Sequence, residues 1–155
     1  MTQVRTDAEI DVREFLRPGD HIVVGQACGE PSSVLEALIA QGRDVGDLTV
    51  FVATSFSGIF TPESAESFAL SSMGAIGALR SMSKAHRLDV IPCHVSQVGP
   101  MIEAGIIGCD VAFVQVGPAD GEGNHSFGLV SDYVQAAVAR ARVVVAEVND
   151  QVPFT

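Results

Sequence analysis

Basic residues are scarce in this 155-residue sequence, which has 9 Lys and Arg against 19 Asp and Glu and a formal net charge of −10. Nucleic-acid binding depends largely on Lys and Arg side chains that neutralise phosphates, so this balance makes a polyanion a poor partner. Aromatic residues make up only 6% of the chain, which leaves no platform for stacked bases. The sequence therefore predicts no nucleic-acid binding, while a single phosphorylated ligand at a local site stays compatible with it.

Long apolar runs are also lacking. Stretches such as 21–24, 48–53 and 142–148 have the length of strands and fall far short of the ~20 residues that a membrane-spanning helix requires. The first residues alternate charges and lack the apolar core of a signal peptide. We therefore expect a cytoplasmic protein without a membrane span.

The motifs of metal, disulfide and nucleotide sites are missing as well. The three cysteines and four histidines are widely separated, at Cys28, Cys93 and Cys109 and at His21, His86, His94 and His125. Without CxxC or HExxH spacing they predict reduced thiols and no metal site. Neither G-x-x-x-x-G-K-[ST] nor G-x-G-x-x-G occurs, so no nucleotide class is indicated and no permanently bound cofactor is expected.

What is present is an alternation of helix and strand periods along the whole chain. It predicts helices at 8–16, 31–41, 75–86, 98–104 and 132–140, strands at 21–25, 48–53, 88–92, 110–116 and 143–148, and a polar connection at 54–72. Such alternation is typical of an α/β fold with an open, mostly parallel sheet and helices on both faces. No linker-like composition interrupts it, so residues 1–155 are predicted to form a single domain.

The last apolar run, residues 143–148, is typical of a strand buried inside a sheet, yet only seven residues follow it. A chain that stops just after a central strand indicates either a truncated polypeptide or a subunit whose partner completes the fold. Apolar surface left uncovered in this way would favour self-association, so we expect a homo-oligomer.

The segment from Gly19 to Leu38 predicts a buried strand that turns directly into a helix. The small residues at 25–29 leave backbone N–H groups unshielded, and Pro31 suits a first helical turn. A helix N-terminus reached through glycines favours anionic or carbonyl oxygens, so this turn is the strongest candidate for a ligand site. Because Glu30 would repel an anion there, we expect it either to cap the helix or to contact a substrate directly.

Small or polar residues follow every predicted strand. They lie at 25–30, 54–58, 93–96, 117–128 and 147–149. Each set alone fits ordinary turn and capping chemistry. Because ligands of open parallel sheets bind outside the carboxyl ends of the strands, their joint presence favours one shared crevice.

Two further features have competing interpretations. His94 and Ser96 suggest a base and a nucleophile with Asp110 or Asp120 as the orienting acid, which would make the chain a serine hydrolase. No G-x-S-x-G elbow is present, so a capping or substrate-contacting His94 is the preferred interpretation. Glu147, at the end of the last strand, is expected to bind neighbouring backbone N–H groups, because an unpaired carboxylate there would be costly.

Four segments follow one another in a specific order along residues 17–155: GDHIVVGQACGEPSSVLEAL, HRLDVIPCHVSQVGPMIEAG, DVAFVQVGPADGEGNHSFGLVSDYVQAA and VVVAEVNDQVPFT. In this order they resemble the amino-terminal half of the acetyl-CoA hydrolase/transferase family, which includes 4-hydroxybutyrate CoA-transferases. The resemblance implies a CoA-transferase-like architecture in which two α/β halves face one another. Acyl-CoA would bind in the cleft between them, with a small carboxylate as the second substrate.

The resemblance also implies where the chemistry resides. In that family a glutamate attacks the acyl-CoA thioester, giving an acyl-glutamyl anhydride and then a glutamyl-CoA thioester, which a carboxylate or water resolves. The glutamate belongs to the carboxyl-terminal half. Neither Glu30 nor Glu147 would therefore be the nucleophile, and this chain alone is expected to be inactive until a carboxyl-terminal half or partner subunit joins it.

The residues carried over from the resemblance would line the acyl or CoA side of the cleft. They are Gly25, Gln26, Gly29, Glu30 and Pro31 in the first turn, His94 and Ser96 after the third motif, and Ser126, Phe127 and Gly128. The alternative from another class is a free-standing α/β binding module that holds a small anion or CoA-like ligand without turnover.

Overall fold

Short runs rich in β-branched residues form one parallel sheet in the computed structural model, which describes residues 10–155. The strands are β1 (His21–Val24), β2 (Thr49–Phe51), β3 (Ala69–Ser72), β4 (Asp89–Val90), β5 (Val111–Val116) and β6 (Val143–Val148). They are ordered β4-β3-β2-β1-β5-β6, and all five neighbouring pairs are parallel. The predicted α/β class is confirmed.

Four α-helices connect the strands and cover both faces of the sheet. They are α1 (Ser32–Val45), α2 (Leu79–Lys84), α3 (Val95–Glu103) and α4 (Val134–Arg140), with 3-10 helices at Val12–Glu14, Ala27–Gly29 and Ser64–Glu66. The helices in residues 10–155 are all too short or too polar to traverse a lipid bilayer.

The alternation of side chains along each strand divides the core into two layers. In β1, Ile22 and Val24 pack with α1 and α2, while Val23 packs on the opposite face with α3 and α4. The same division holds in β5, where Phe113 joins the first layer and Val114 the second. Apolar side chains on both faces explain why the strands are near-continuous apolar runs.

The chain reverses direction across the sheet between β1 and β5. From β1 the chain adds β2, β3 and β4 on one side, whereas β5 and β6 lie on the other side. In open parallel sheets the connections on either side of such a reversal diverge, which leaves a crevice outside the carboxyl ends of the strands.

Several predicted elements need correction. The third strand, β3, lies inside the segment 54–72 that was predicted as a connection. It was missed because two of the four residues of Ala69–Ser72 are serines, which strands disfavour relative to β-branched residues. Only a 3-10 helix at Val12–Glu14 occurs within the helix predicted at 8–16, whose first two residues lie outside the described part. Helix α2 is shorter than predicted, and α3 begins three residues earlier.

The prediction that 143–148 is a buried central strand is wrong. Strand β6 pairs only with β5 and forms one edge of the sheet among the described residues. Alternate residues are exposed, and Val144 and Val148 on that exposed face are 40% and 51% accessible. An apolar parallel strand with one open edge is a surface that proteins ordinarily cover.

The buried thiol of Cys109 gives a test of the core. Burial raises the pKa of Cys109 to about 11, whereas Cys28 is exposed in the turn after β1. Because the thiolate is the reactive form, we expect a maleimide at pH 8 to label Cys28 rapidly and Cys109 only after unfolding in urea. Site-resolved mass spectrometry checks this; equal labelling rates at the two cysteines in the folded protein would contradict the packing described.

Candidate functional site

The connections that follow β1, β2 and β5 meet at the carboxyl edge of the sheet and form an open cleft of about 410 Å³. The lining residues are Gln26, Ala27, Thr54, Phe56, Leu129, Val130, Ser131 and Asp132. The cleft lies where the chain reverses direction between β1 and β5, as expected for a ligand site of an open parallel sheet.

The turn after β1 is tightly constrained by its neighbours. The N–H of Gly25 donates to the carbonyl of Phe113 on β5 at 2.9 Å, and a Cβ on Gly25 would come within 2.5 Å of the Gly29 carbonyl oxygen. Only glycine therefore fits at position 25. Ala27 adopts a left-handed conformation, with φ of 53°, and donates its N–H to the carbonyl of Thr54 at 2.9 Å.

Glu30 is buried, with 4% of its surface exposed, and its side chain points away from α1. Its Oε2 accepts hydrogen bonds from the N–H groups of Phe56 and Ser57, at 3.0 and 2.9 Å. The expectation that Glu30 caps the helix is thus wrong, because its Oε2 atom accepts hydrogen bonds from the connection after β2 instead of from the N–H groups of α1. Direct contact with a substrate stays a prediction.

The N-terminus of α1 is capped by another strand-end glutamate. Glu147 Oε2 accepts the N–H of Ser33 at 2.7 Å, and its Oε1 accepts from Gln115 Nε2 at 3.4 Å. Negative charge at this position is favoured by the unpaired N–H groups and the dipole of the helix. Glu147 therefore binds a neighbouring backbone N–H as expected. Pro31 lies at the N-cap position, one residue before the first helical turn.

Tyr133 bridges β1 and β2 beneath the cleft, a role that no sequence pattern indicated. Its hydroxyl donates to the Val24 carbonyl at 2.7 Å and accepts from the Ala53 N–H at 3.2 Å. Burial raises the pKa of Tyr133, so the hydroxyl stays protonated. Tyr133 is the sole tyrosine of the sequence and lies at the N-cap of α4, and a buried hydroxyl requires a partner, which was the one available signal.

Polar side chains line the cleft beside two exposed apolar side chains, Phe56 and Leu129, which together are called its rim. The Gln26 amide donates to the Asp132 carboxylate, which joins the turn after β1 to the segment before α4. Phe56 and Leu129 are 68% and 75% exposed, although both are large and apolar. Exposed apolar side chains grouped at a concave surface are typical of ligand or partner contacts.

The structure gathers only part of the predicted site residues. Of the residues predicted in the first turn, Gln26 lines the cleft, and Gly29 packs against Val130 beside it. Gly25 and Glu30 lie in the same turn, and the contact of these residues with a ligand stays a prediction. A further strand end contributes through Phe56, which the sequence analysis placed only within the set 54–58.

His94 and Ser96 lie elsewhere on the same edge. Both are exposed at the start of α3, after β4, and three strand spacings, roughly 14 Å, separate β4 from β1. His94 occupies the N-cap position, where its N–H donates to Gln97 Oε1 at 3.0 Å. The position agrees with a helix-capping role, and contact with a substrate stays a prediction.

Ser126, Phe127 and Gly128 lie beside the last residues described. Ser126 Oγ accepts from the N–H groups of Gly128 and Thr155, at 3.0 and 3.1 Å. A Cβ on Gly128, whose φ is 61°, would come within 2.4 Å of Val152. Ser126 and Gly128 therefore contact the segment after β6, whereas Phe127 packs against the second core layer. The contact of these three residues with the acyl or CoA group stays a prediction.

The serine-hydrolase interpretation lacks its orienting acid. Asp110 accepts from the N–H of His21 at 2.9 Å at the amino-terminal edge of the sheet, and this hydrogen bond lowers the pKa of Asp110. Asp120 accepts the N–H groups of Glu122 and Asn124 in its own turn, both at 2.8 Å. Neither carboxylate is bonded to His94. Within residues 10–155, no three His, Cys, Asp or Glu side chains are grouped to hold a metal ion.

Sequence comparison relates this chain to enzymes of coenzyme A chemistry. A family model described as the acetyl-CoA hydrolase/transferase N-terminal domain matches residues 4–155. The 4-hydroxybutyrate coenzyme A transferase of Clostridium kluyveri is 30% identical over 136 residues, 86% of this chain and 32% of that protein. The succinyl-CoA:acetate/propanoyl-CoA:succinate CoA transferase of Fasciola hepatica is 27% identical over 144 residues, 91% of this chain and 30% of that protein. The chain spans about a third of the length of these curated relatives.

Solved structures show the same arrangement of the sheet and helices. The 4-hydroxybutyrate CoA-transferase of Porphyromonas gingivalis is similar with a TM-score of 0.68 and 31% identity, over 92% of this chain and 32% of that one. RipA from Yersinia pestis is similar with a TM-score of 0.83 and 25% identity, over 91% of this chain and 36% of that one.

The bridging role of Tyr133 predicts a loss of stability in Tyr133→Phe. Removing the hydroxyl leaves a buried carbonyl and a buried N–H without their partner, so the free energy of unfolding should fall by about 1–3 kcal/mol. Urea denaturation checks this. Ser81→Ala, which removes an exposed hydroxyl bonded to Ala78, should change it by less than about 0.5 kcal/mol. Equal effects of the two substitutions would contradict the bridge.

Proposed function

The chain belongs to the acetyl-CoA hydrolase/transferase family, whose amino-terminal domain it matches, and on this premise we propose that it forms one wall of the acyl-CoA cleft of an acyl-CoA:carboxylate CoA-transferase or acetyl-CoA hydrolase. The observation that carries the proposal is the cleft between β1 and β5, formed by the turn after β1 that the family resemblance singles out. Family members are CoA-transferases or hydrolases, so a CoA thioester is the substrate expected here, with a small carboxylate as acceptor.

The chemistry of the cleft suits a thioester better than a free phosphate. The α1 N-terminus, the natural position for a phosphate, already accepts the negative charge of Glu147. The rim instead offers Phe56 and Leu129, which suit the apolar parts of an acyl-pantetheine arm.

The attacking carboxylate is proposed to come from outside residues 1–155. Both strand-end glutamates have other bonds: Glu30 is buried against Phe56 and Ser57, and Glu147 caps α1. A nucleophile must be free to approach the thioester carbon. The hydrogen bonds of these two glutamates therefore support the proposal that this chain binds and orients the substrate, while a carboxyl-terminal half supplies the attacking glutamate.

The open edge of β6 supports the need for a partner. Relatives are about three times as long as this chain, and the exposed apolar face of Val144, Ala146 and Val148 offers a surface for the additional polypeptide. In the absence of that polypeptide, the same surface is expected to drive homo-oligomer formation.

Reconstitution tests the proposal directly. Two products are measured for the chain alone and with the carboxyl-terminal region of a family member supplied as a separate polypeptide: 4-hydroxybutyryl-CoA formed with acetate from acetyl-CoA and 4-hydroxybutyrate, which reports transfer, and free CoA formed with acetate from acetyl-CoA and water, which reports hydrolysis. We expect no turnover by either polypeptide alone and turnover by the mixture, because the wall and the nucleophile reside on different polypeptides. Turnover by the homogeneous 155-residue chain, abolished by changing one of its own acidic residues, would overturn the proposal.

The apolar rim gives a second test in the reconstituted enzyme. Phe56→Ser should raise the KM for acyl-CoA about 5-fold or more, because an exposed aromatic side chain at a ligand site loses its contact area on truncation. Ile106→Ser is the matched control, since Ile106 is 66% exposed and precedes β5 at the opposite edge. A KM unchanged by Phe56→Ser, or raised equally by both substitutions, would place the substrate elsewhere.

A binding module without turnover is the second candidate. The hydrogen bonds of Glu30 and Glu147 favour this candidate as well. A cleft whose neighbouring carboxylates are already hydrogen-bonded can still bind a ligand without reacting with it. Calorimetric titration of the chain with CoA and acetyl-CoA separates the two functions. Tight binding by the chain alone, with no gain of turnover when the carboxyl-terminal region is added, would favour the module.

A further inference from the structure

Four consecutive residues of the connection after β2, residues 54–57, have backbone groups that are hydrogen-bonded to other parts of the chain. The side chain of Phe56 is nevertheless exposed. The carbonyl of Thr54 accepts the N–H of Ala27 at 2.9 Å, and the carbonyl of Ser55 accepts the N–H of Ala78 at 3.1 Å. The next two N–H groups, of Phe56 and Ser57, both donate to Glu30 Oε2. The Phe56 side chain itself is 68% exposed and lines the cleft.

The carboxylate of Glu30 is bound in an unusual way. Its Oε2 accepts two backbone hydrogen bonds, whereas its Oε1 is buried and has no hydrogen-bond partner among the described residues. The neighbouring Ser55 Oγ is buried and unpartnered as well. Burying a carboxylate with one oxygen unsatisfied opposes folding, so core packing alone gives no reason for a glutamate here.

The backbone of Glu30 is also hydrogen-bonded to β5, on the other side of the point where the strand order reverses. Its own carbonyl accepts from Gln115 Nε2 on β5 at 3.1 Å, and the same nitrogen contacts Glu147 Oε1 on β6. Glu147 in turn caps α1. A series of hydrogen bonds therefore runs from α1 and β6 through Gln115 to Glu30 and ends at the backbone beneath Phe56.

We propose that Glu30 is a positioning residue for the substrate cleft: it fixes the backbone of Phe56 and Ser57, and so holds the exposed Phe56 ring at the rim, through its two backbone hydrogen bonds. Hydrogen bonds to an ionised acceptor are roughly twice as strong as neutral ones, which explains why a carboxylate serves better than an amide here. This inference rests on the proposed function for the identity of the ligand, but the fixation of the backbone can be measured without any ligand.

Amide hydrogen exchange tests the fixation. In Glu30→Ala, exchange at Phe56 and Ser57 should accelerate about 10- to 100-fold, the effect of losing a hydrogen bond to a charged group, while amides of β1 and β5 change less. Glu30→Gln keeps an acceptor oxygen without the charge, so it should be intermediate. It also keeps the test decisive if the alanine variant fails to fold.

The matched control is Asp20→Asn. Asp20 is also a buried carboxylate, 7% exposed, and accepts the N–H of Arg17 at 2.8 Å, but it lies before β1 at the opposite edge. Its substitution lowers stability without touching the cleft. In Asp20→Asn we expect the amide exchange rates of Phe56 and Ser57 to change by the same factor as those of amides in the core strands.

Affinity for acyl-CoA completes the experiment in the reconstituted enzyme. The KM should rise in the order wild type, Glu30→Gln, Glu30→Ala, with kcat changed less than KM, and Phe56→Ser should add little to Glu30→Ala because both act on the same contact. Asp20→Asn should leave the KM unchanged.

Two results would overturn the inference. One is unchanged exchange at Phe56 and Ser57 in folded Glu30 variants. The other is accelerated exchange with an unchanged KM for acyl-CoA. If the wild-type mixture neither binds nor turns over acyl-CoA, the proposed function fails, and the exchange data alone then decide whether Glu30 holds the Phe56 backbone.

Discussion

The turn after β1 is bound from three directions, and the geometry of the cleft depends on this constraint. Gly25 is hydrogen-bonded to β5, Ala27 to the end of β2, and Glu30 to the connection beyond β2. Because β1 lies at the reversal of the sheet, each bond joins the turn to an element that is distant along the chain. With fewer of these hydrogen bonds, the residues of the turn that line the cleft would have no fixed position.

Two strand-end glutamates show how position in the sheet decides the role of a residue. Glu30 lies in the turn after the buried strand β1, and Glu147 lies near the end of the edge strand β6. Both accept hydrogen bonds from backbone N–H groups, Glu30 from a loop and Glu147 from a helix N-terminus. In each side chain the Oε2 atom is bonded to backbone N–H groups. The chain belongs to the acetyl-CoA hydrolase/transferase family, and we propose a division of labour in which this domain binds the substrate and the reacting carboxylate belongs to another part of the enzyme.

Much of the fold could be predicted because its signals are local. Runs of β-branched residues located five of six strands, and small residues after them located the carboxyl edge. The missed strand, Ala69–Ser72, has two buried serines whose hydroxyls donate to backbone carbonyls. Because serine is typical of connections, the segment was not predicted as a buried strand. The first turn of the site was also predictable, since glycine spacing and Pro31 are visible in the sequence. Tyr133 was not, because its partners lie 109 and 80 residues away.

The class of fold, the family and the turn proposed to form the site could all be inferred from the amino-acid order, because periodicity, glycine spacing and the sequence of motifs are local features of the chain. Three features became visible only in the folded chain: β6 is an edge strand, Glu30 binds a loop 26 residues away, and His94 is not among the residues that line the cleft. The physical reason is that strand order sets which distant groups meet, and no local pattern encodes that order.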